Sequence, residues 1–244
     1  MRAAVVIMSR LPVAGVTKTR LMTKLSGDEC AAFHRACLLD IYHHVRNADL
    51  PGYLYYTGNT AEIDYQVTRL VQWSQDELWS LLPTEYRNFQ IKPQIGHELG
   101  ERMLHAAEDI LSLYEAVILL GSDLPDLSPE LLRRAILSLA VSDLVLGPAV
   151  DGGYYLLGMK KVHPELFYNI PWGTETVFQR TLEATVKKGL ICSMLEIKAD
   201  IDTWPDLLYF YERGQLSDNQ EYQKLNAYQC AKRIVQKYAE GVWP

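Results

Sequence analysis

AVILLGSDLPD, residues 116–126, passes from a short apolar run directly into a turn that carries two carboxylates. The apolar run is brief and unbroken, which is typical of a strand buried on both faces of a sheet. Ser128 and Pro129 come next, and they predict a helix with the serine as N-cap and the proline at its first position. A buried strand, a polar turn and a helix in succession indicate an α/β protein with a mainly parallel sheet.

The same alternation of strands and helices extends along the chain. Short apolar or β-branched runs predict further strands at residues 3–8, 52–57, 89–94, 143–146, 154–159 and 191–197. A helix is predicted to start at Ser26, with Glu29 in a capping box, and further helices are predicted at residues 101–114, 174–188, 206–211 and 220–238. Residues 59–84 are weakly patterned and are also predicted to be helical. Sheets of this kind bind ligands beyond the carboxyl ends of their strands.

The composition argues against several classes of protein. Of the 244 residues, 48% are hydrophobic and 22% are charged, which excludes disorder as the main state. The net charge of −6 disfavours nucleic acid as a partner, and no apolar run is long enough to predict a membrane span. No signal peptide is recognisable, so we expect a cytoplasmic protein. The four cysteines lack C-x-x-C spacing and indicate neither a zinc knuckle nor a redox pair.

A basic loop, RLPVAGVTKTR, follows the first predicted strand. It contains Gly15, which allows close backbone approach, and a hydroxyl between two cations, Lys18 and Arg20. Backbone N–H groups together with lysine and arginine suit a diphosphate or triphosphate. The spacing is neither a Walker A loop nor G-x-G-x-x-G, so this segment taken alone fits a solvated basic loop equally well.

Carboxylates follow other predicted strands. Asp123 comes directly after the strand in AVILL, and Asp200 and Asp202 follow the last strand. Carboxylate oxygens in such positions can hold Mg²⁺ or Mn²⁺ together with phosphate oxygens and water. The alternative for Asp123 is a turn residue that bonds its own backbone, and for Asp202 it is the N-cap of the next helix. Asp151 precedes two glycines in a further turn, for which a plain hairpin is the alternative.

Six segments in this order resemble one family. They are P-x-x-G-x-x-K-T-R-L (residues 12–21), L-G-E-R-M (99–103), G-S-D-x-P-D-L (121–127), G-P-A-x-D-G-G-Y-Y-L-x-G (147–158), W-G-T (172–174) and D-I-D-T (200–203). The chain is similar in these motifs to the DUF2064 family, glycosyltransferase-A-like proteins named as radical-SAM/selenodomain-associated transferases. Some members are labelled arsenosugar-biosynthesis glycosyltransferases. The resemblance covers roughly residues 3–210.

The resemblance implies a GT-A fold, the nucleotide-diphospho-sugar transferase fold, with a mixed, mostly parallel sheet and helices on both faces. It implies a GT-A-like domain at residues 1–212, and we expect residues 213–244 to form a helical extension packed on that domain. In the relatives, the first loop grips nucleotide phosphates and two carboxylates bind a divalent metal. Carried over, Asp123 and Asp202 become ligands of Mg²⁺ or Mn²⁺. The nucleotide-binding residues implied are Pro12, Gly15, Lys18, Thr19, Arg20, Gly100, Arg102 and Ser122.

The sequence departs from the family pattern in two places. Thr23 stands where relatives often have proline, and Trp204-Pro205 replaces the Pro-Glu that usually follows D-x-D-T. Neither change removes a charged group from the predicted site. The second change lies in the segment that carries Asp202.

We therefore expect a metal-dependent transferase that uses a nucleotide-activated donor, most simply an NDP-sugar, and a small-molecule acceptor. The cation bound by Asp123 and Asp202 is expected to neutralise the diphosphate, and Lys18 and Arg20 to share the charge that builds on the leaving group. Asp151 is the candidate hydroxyl ligand or general base for the acceptor. One alternative is a nucleotidyltransferase that releases pyrophosphate from an NTP. Another is a nucleotide-binding regulatory module without turnover. A homodimer stays open.

Overall fold

The computed structural model describes residues 1–57, 81–216 and 220–239. Its strands are β1 (Ala3–Arg10), β2 (Gly52–Thr57), β3 (Gln90–Pro93), β4 (Ala116–Gly121), β5 (Leu144–Pro148), β6 (Tyr154–Met159) and β7 (Cys192–Met194). Within the described residues, these seven strands form one sheet in the order β3-β2-β1-β4-β6-β5-β7. All the predicted strands are therefore present, although β7 is shorter than predicted.

The helices lie between and after these strands. They are α1 (Gly27–Asn47), α2 (Leu99–Leu111), α3 (Pro129–Ser138), α4 (Val177–Lys187), α5 (Trp204–Leu216), α6 (Gln220–Lys224) and α7 (Asn226–Ala239). Two predicted helix starts are confirmed in detail. The Ser26 hydroxyl accepts the Glu29 amide at 3.3 Å, and the Glu29 carboxylate accepts the Ser26 amide at 2.9 Å. Ser128 caps α3 in the same way, by accepting the Leu131 amide at 3.1 Å.

One strand runs against its neighbours. β1 pairs in parallel with β2 and β4, β2 with β3, and β5 with β7, whereas β6 is antiparallel to both β4 and β5. Because β6 is reversed, its first residue, Tyr154, lies at the edge where the parallel strands end. The turn that carries Asp151 joins β5 to β6 at that same edge.

Helices cover both faces of the sheet. On one face, Val5 and Ile7 of β1 pack in a buried cluster with residues of α1 and α3, among them Leu38 and Leu131. The alternate residues of β1 pack on the other face with α2, and α4 lies over that layer. Successive side chains of a strand point to opposite faces, so a strand covered on both sides must be apolar throughout. The predicted fold class, a mostly parallel mixed sheet with helices on both faces, is confirmed.

The C-terminal helices pack against α1 on the side away from the sheet. Phe33 of α1 and Phe210 of α5 belong to a third buried cluster, which also takes in the apolar face of α7. Asp40 of α1 caps α7, because its carboxylate accepts the amides of Asn226 and Ala227 and the Asn226 side-chain amide, each at 2.8 Å. We call this contact of α1 with α5 and α7 the α1 seam.

Three predicted helices differ from the structure. α4 begins at Val177 rather than at residue 174, because the Thr174 hydroxyl donates to the Pro171 carbonyl at 2.8 Å and so closes a turn before the helix. α5 is longer than the predicted helix at 206–211. The helix predicted at 220–238 is two helices, α6 and α7, which are separated at Leu225.

The helix predicted at residues 59–84 falls almost entirely on residues 58–80, which lie outside the described part of the chain. Among the described helices, none combines the length and the apolar character that a membrane crossing requires.

Candidate active site

A cleft of about 480 Å³ opens at the carboxyl ends of β1, β2 and β4. Its walls come from the loops that follow these strands and from the start of β6. Several residues predicted from the sequence line it, namely Lys18, Thr19, Arg20, Arg102, Ser122, Asp123 and Asp202. Segments far apart in the chain therefore meet at one edge of the sheet, as expected for an α/β fold.

Lys18 lies at the centre of the charged part of this cleft. Its Nζ is 2.5 Å from Oδ1 of Asp123 and 3.4 Å from Oδ1 of Asp202, and it donates to the Ile201 carbonyl at 2.5 Å. Only 2% of the Lys18 side chain is exposed. Arg20, whose side chain is 69% exposed, lies farther out, with Nη1 3.4 Å from Oδ2 of Asp202. One buried ammonium thus joins the two carboxylates that the sequence predicts as metal ligands.

The backbone of the basic loop turns Lys18 inward. Gly15 has a φ of 78°, a left-handed conformation that glycine adopts without strain, and Lys18 itself has a φ of 51°. The Val13 carbonyl accepts the amides of Val16 and Thr17 and so closes the turn that contains Gly15. A non-glycine residue in the left-handed region costs free energy, which the contacts of the Lys18 ammonium with Asp123, Asp202 and the Ile201 carbonyl offset.

The segment that carries Asp202 is fixed from two sides. The Ile201 amide donates to the Asp123 carbonyl at 3.2 Å, which ties this segment to the loop after β4. The Asp206 carboxylate accepts the Thr203 amide and hydroxyl, each at 2.7 Å, at the start of α5. Thr203 and Asp206 therefore cap the helix, and the Asp202 side chain remains directed at Lys18. The Trp204-Pro205 departure is accommodated within the first turn of α5.

Negative charge is crowded at the base of the cleft. Burial opposes the charge on Lys18, but Asp123 and Asp202 outweigh burial and raise the pKa of Lys18 above its ordinary value. Burial also opposes the charge on Asp123, yet the Lys18 ammonium lowers the pKa of that carboxyl. Burial and the carboxylates of Asp123, Asp151 and Asp202 raise the pKa of Asp200 to about 8. Lys18 thus balances only part of the acidic charge around it.

Arg102 and Gly100 have structural roles that the sequence does not reveal. Arg102 lines the cleft, but its guanidinium donates to the carbonyls of Gly96 at 3.0 Å and His97 at 2.7 Å, so it also holds the loop before α2. Gly100 is buried outside the cleft lining. A Cβ at Gly100 would lie 2.2 Å from the Phe167 carbonyl oxygen and 2.4 Å from the Trp172 ring nitrogen, so close packing requires glycine there.

Three further predicted residues lie outside the cleft lining, and these are Pro12, Gly15 and Asp151. Pro12 and Gly15 belong to the basic loop, where Gly15 serves the turn described above. Asp151 is exposed, and its carboxylate accepts the Gly153 amide at 2.9 Å within its own turn. The role of Asp151 toward an acceptor stays a prediction.

Gln94 and His34 are among the polar residues that line the cleft and that sequence reasoning missed. Gln94 follows β3 directly, and its amide nitrogen donates to the carbonyls of Tyr55 at 2.8 Å and Ser9 at 3.3 Å. His34 projects from the apolar stripe of α1, and its Nε2 lies 3.0 Å from the Ser9 hydroxyl and 3.1 Å from the Arg10 carbonyl. Burial lowers the pKa of His34 to about 4. The position of Gln94 at a strand end was the available signal.

The residues present give a partial metal site. Among the described residues, no three His, Cys, Asp or Glu side chains are arranged to hold a metal ion. Asp123 and Asp202 nevertheless offer oxygens to one shared position, which is held by the Lys18 ammonium. Carboxylate oxygen is the donor type that Mg²⁺ and Mn²⁺ prefer.

Residues 57–174 match the family model DUF2064, whose description is "uncharacterized protein conserved in bacteria". This span, just under half of the chain, is similar to the DUF2064 family. The matched span contains the turns of Asp123 and Asp151, whereas the basic loop and Asp202 lie outside it. The comparison with curated proteins finds no match.

Solved structures extend the likeness to nearly the whole chain. A candidate nucleotide-diphospho-sugar transferase from Desulfovibrio desulfuricans G20 is 27% identical, with a TM-score of 0.79 over 98% of this chain and 99% of its own. A homologue of Rv0371c from Mycobacterium sp. strain JC1 is 12% identical, with a TM-score of 0.52 over 97% and 99%. 4-Diphosphocytidyl-2C-methyl-D-erythritol synthase from Anaerococcus prevotii DSM 20548 is 11% identical, with a TM-score of 0.50 over 85% and 93%. The last two show the fold alone, which is nucleotide-diphospho-sugar transferase-like.

Proposed function

We propose that this protein is a metal-dependent transferase that moves a glycosyl group from an NDP-sugar to a small acceptor. The observation that carries this proposal is the meeting of Lys18, Arg20, Asp123 and Asp202 in one cleft at the carboxyl ends of the strands. Such a mixed cluster of cations and carboxylates suits a diphosphate that arrives with a divalent cation. The likeness to the Desulfovibrio protein supports the same class of donor.

The cations of the cleft would act on the leaving diphosphate. Arg20 is exposed at the mouth and can donate two parallel hydrogen bonds to phosphate oxygens. Lys18 carries a single charge on a flexible stem, so it can follow the charge that develops on the leaving oxygen. Groups held in place for developing charge are typically a large part of catalysis, at about 2.7–4 kcal/mol for one donor.

Asp123 and Asp202 would hold Mg²⁺ or Mn²⁺ with phosphate oxygens and water in the remaining positions. When bound, such a cation would neutralise the diphosphate and polarise the bond to the leaving group. Two carboxylates are few for a cation held by protein alone. They suffice when the nucleotide supplies further oxygens, so we expect the cation and the donor to bind together.

Asp151 is the candidate acceptor-side residue. It lies on the turn before β6, at the same edge of the sheet, and its carboxylate is exposed. An exposed carboxylate there can orient an acceptor hydroxyl or take its proton.

The test is the product released from each class of donor. Purified protein with Mn²⁺ would be given a panel of NDP-sugars with small alcohol and thiol acceptors, and release of NDP would be measured. NTPs with phosphorylated acceptors form the second panel, and release of pyrophosphate there would favour nucleotidyl transfer. Nucleotide binding without any product would favour a regulatory module.

Two matched variants test whether any NDP release that is measured takes place in the cleft. Asp123→Asn should abolish most NDP release, whereas Asp28→Asn, an exposed aspartate in the first turn of α1, should leave it unchanged. NDP release that is equal in Asp123→Asn and wild type would exclude the role of Asp123.

A further inference from the structure

We propose that Lys18 is a built-in competitor for the divalent cation, so that the cation binds well only together with a diphosphate. The proposal rests on the function proposed above, and it adds a coupling between the two ligands. The Lys18 ammonium contacts the same two carboxylates, Asp123 and Asp202, that would hold the cation. A metal ion can take both carboxylates only if this ammonium moves.

The contacts of Lys18 leave its ammonium no free donor. Three N–H bonds are available to a lysine, and three oxygens lie within reach, on Asp123, Asp202 and the Ile201 carbonyl. The side chain is buried, so water does not compete with these contacts. Lys18 therefore cannot reach a phosphate while it holds both carboxylates.

An ammonium that leaves this position needs another anion, because a buried charge without a partner is costly. A bound diphosphate supplies that anion, since the cleft that Lys18 lines also contains Arg20 and Thr19 from the same loop. A diphosphate would therefore draw Lys18 away from Asp123 and Asp202 and free their oxygens. Lysine suits this exchange because its charge sits on a flexible stem of four carbons.

The consequence is positive coupling between cation and diphosphate. Each ligand should raise the affinity for the other by the same factor, because binding free energies are reciprocal. Coupling of this kind is usually 5- to 150-fold, and we expect this protein to lie in about that range. Removal of the ammonium should weaken the coupling, because the carboxylates would then be open to the cation at all times.

The experiment measures binding of Mn²⁺ by electron paramagnetic resonance, in which free and bound Mn²⁺ differ in signal. Wild type, Lys18→Met and Lys24→Met are titrated with Mn²⁺ alone and with inorganic pyrophosphate, each against a protein-free titration. Lys24→Met removes an equal charge from the same segment and controls for the net charge of the protein. Neither a sugar donor nor an acceptor is present.

We expect Lys18→Met to bind Mn²⁺ alone roughly tenfold or more tightly than wild type, and to gain less from pyrophosphate. Lys24→Met should behave as wild type. Equal Mn²⁺ affinity in Lys18→Met and wild type, or an affinity of wild type that pyrophosphate does not change, would overturn the proposal. NDP release by wild type would still stand in that case, so the two failures are distinguishable.

A second measurement covers the case in which Lys18→Met folds poorly. Mn²⁺ should then raise the melting temperature of Lys18→Met more than that of wild type, because the cation replaces the lost ammonium. Lys18→Arg keeps a cation beside the carboxylates and should bind Mn²⁺ no more tightly than wild type. Tighter binding by Lys18→Arg would contradict competition through charge.

Discussion

The cleft and the α1 seam both contain carboxylates with close partners, but the type of partner differs between them. Asp40 in the seam is 2% exposed and accepts three N–H bonds from Asn226 and Ala227, two of them from the backbone. Asp123 and Asp202 in the cleft share one lysine side chain, and their own side chains are 39% and 34% exposed. The seam therefore uses partners fixed by a helix, and the cleft uses a partner on a flexible stem.

This difference separates a structural carboxylate from one that can change partners. Backbone N–H groups at a helix start cannot leave without loss of the helix, so the contacts of Asp40 serve the fold. A lysine can exchange one anion for another at small cost in backbone structure. Substitutions in the seam should therefore lower stability, and those in the cleft should change activity or ligand binding.

The largest expected effect belongs to Asp202→Asn in the cleft. The amide keeps the shape of the side chain but removes the charge that would hold the cation, so we expect NDP release to fall about 10²–10³-fold. The melting temperature should change by only about 2 °C, because the side chain is partly exposed. Initial rates and thermal unfolding of the same preparation check both expectations. A large loss of stability with full activity per folded molecule would show that Asp202 serves the fold rather than the reaction.

Asp40→Asn makes the same chemical change in the seam and comes second. The amide nitrogen of asparagine would face the Ala227 N–H, so a donor meets a donor and one hydrogen bond is lost. We expect the free energy of unfolding to fall by about 2–3 kcal/mol, because a buried donor is left unsatisfied. Urea unfolding measures the loss. Activity at a temperature where the variant is folded should equal that of wild type, and a specific loss of activity would contradict the structural role.

Much of the fold can be predicted from local pattern. The unbroken apolar runs that became β1 and β4 have no polar face, so they fit only strands covered on both sides. The capping residues Ser26 and Ser128 mark the helix starts because the side-chain oxygen and its target amide are three residues apart. The convergence of Lys18 and Asp123 follows from strand ends that share one edge.

Contacts between residues far apart in the sequence could not be predicted from local pattern. Asp40 caps a helix that begins at Asn226, and nothing in either segment indicates the other. The need for glycine at residue 100 comes from the Trp172 ring and the Phe167 carbonyl, so a motif glycine that suggests a ligand contact is explained by packing. The bridge from Lys18 to both carboxylates likewise depends on side-chain reach, which spacing along the chain does not determine.

Glu29 supplies a pH test of the seam. Burial opposes its charge, but hydrogen bonds from Lys237, Ser26 and Tyr238 lower the pKa of Glu29 to about 2. A carboxyl with a lowered pKa stabilises the fold above its unfolded pKa, near 4.5, and loses that contribution as the pH falls toward 2. We expect Glu29→Gln to cost about 2 kcal/mol at pH 6 and much less at pH 2.5.

Urea unfolding of wild type and Glu29→Gln at pH 6 and at pH 2.5 checks this expectation. Other acidic groups, Asp40 among them, are the same in both proteins, so the difference between the two isolates Glu29. A difference that stays the same at both pH values would show that Glu29 acts through packing rather than through charge.

Arg20→Ala should give the smallest change in stability. The pair of Arg20 with Asp202 is largely exposed at 3.4 Å, and pairs of this kind contribute about 0–1 kcal/mol. Arg180→Ala is the matched control, since Arg180 pairs with Glu183 at 3.0 Å on the exposed face of α4, away from the cleft. The free energy of unfolding of both variants should lie within about 0.5 kcal/mol of the wild-type value.

Only Arg20→Ala should weaken pyrophosphate binding, by roughly tenfold, because it alone removes a charged donor to phosphate. Isothermal calorimetry with Mn²⁺ and pyrophosphate measures this, and equal affinities in the two variants would place the diphosphate away from Arg20.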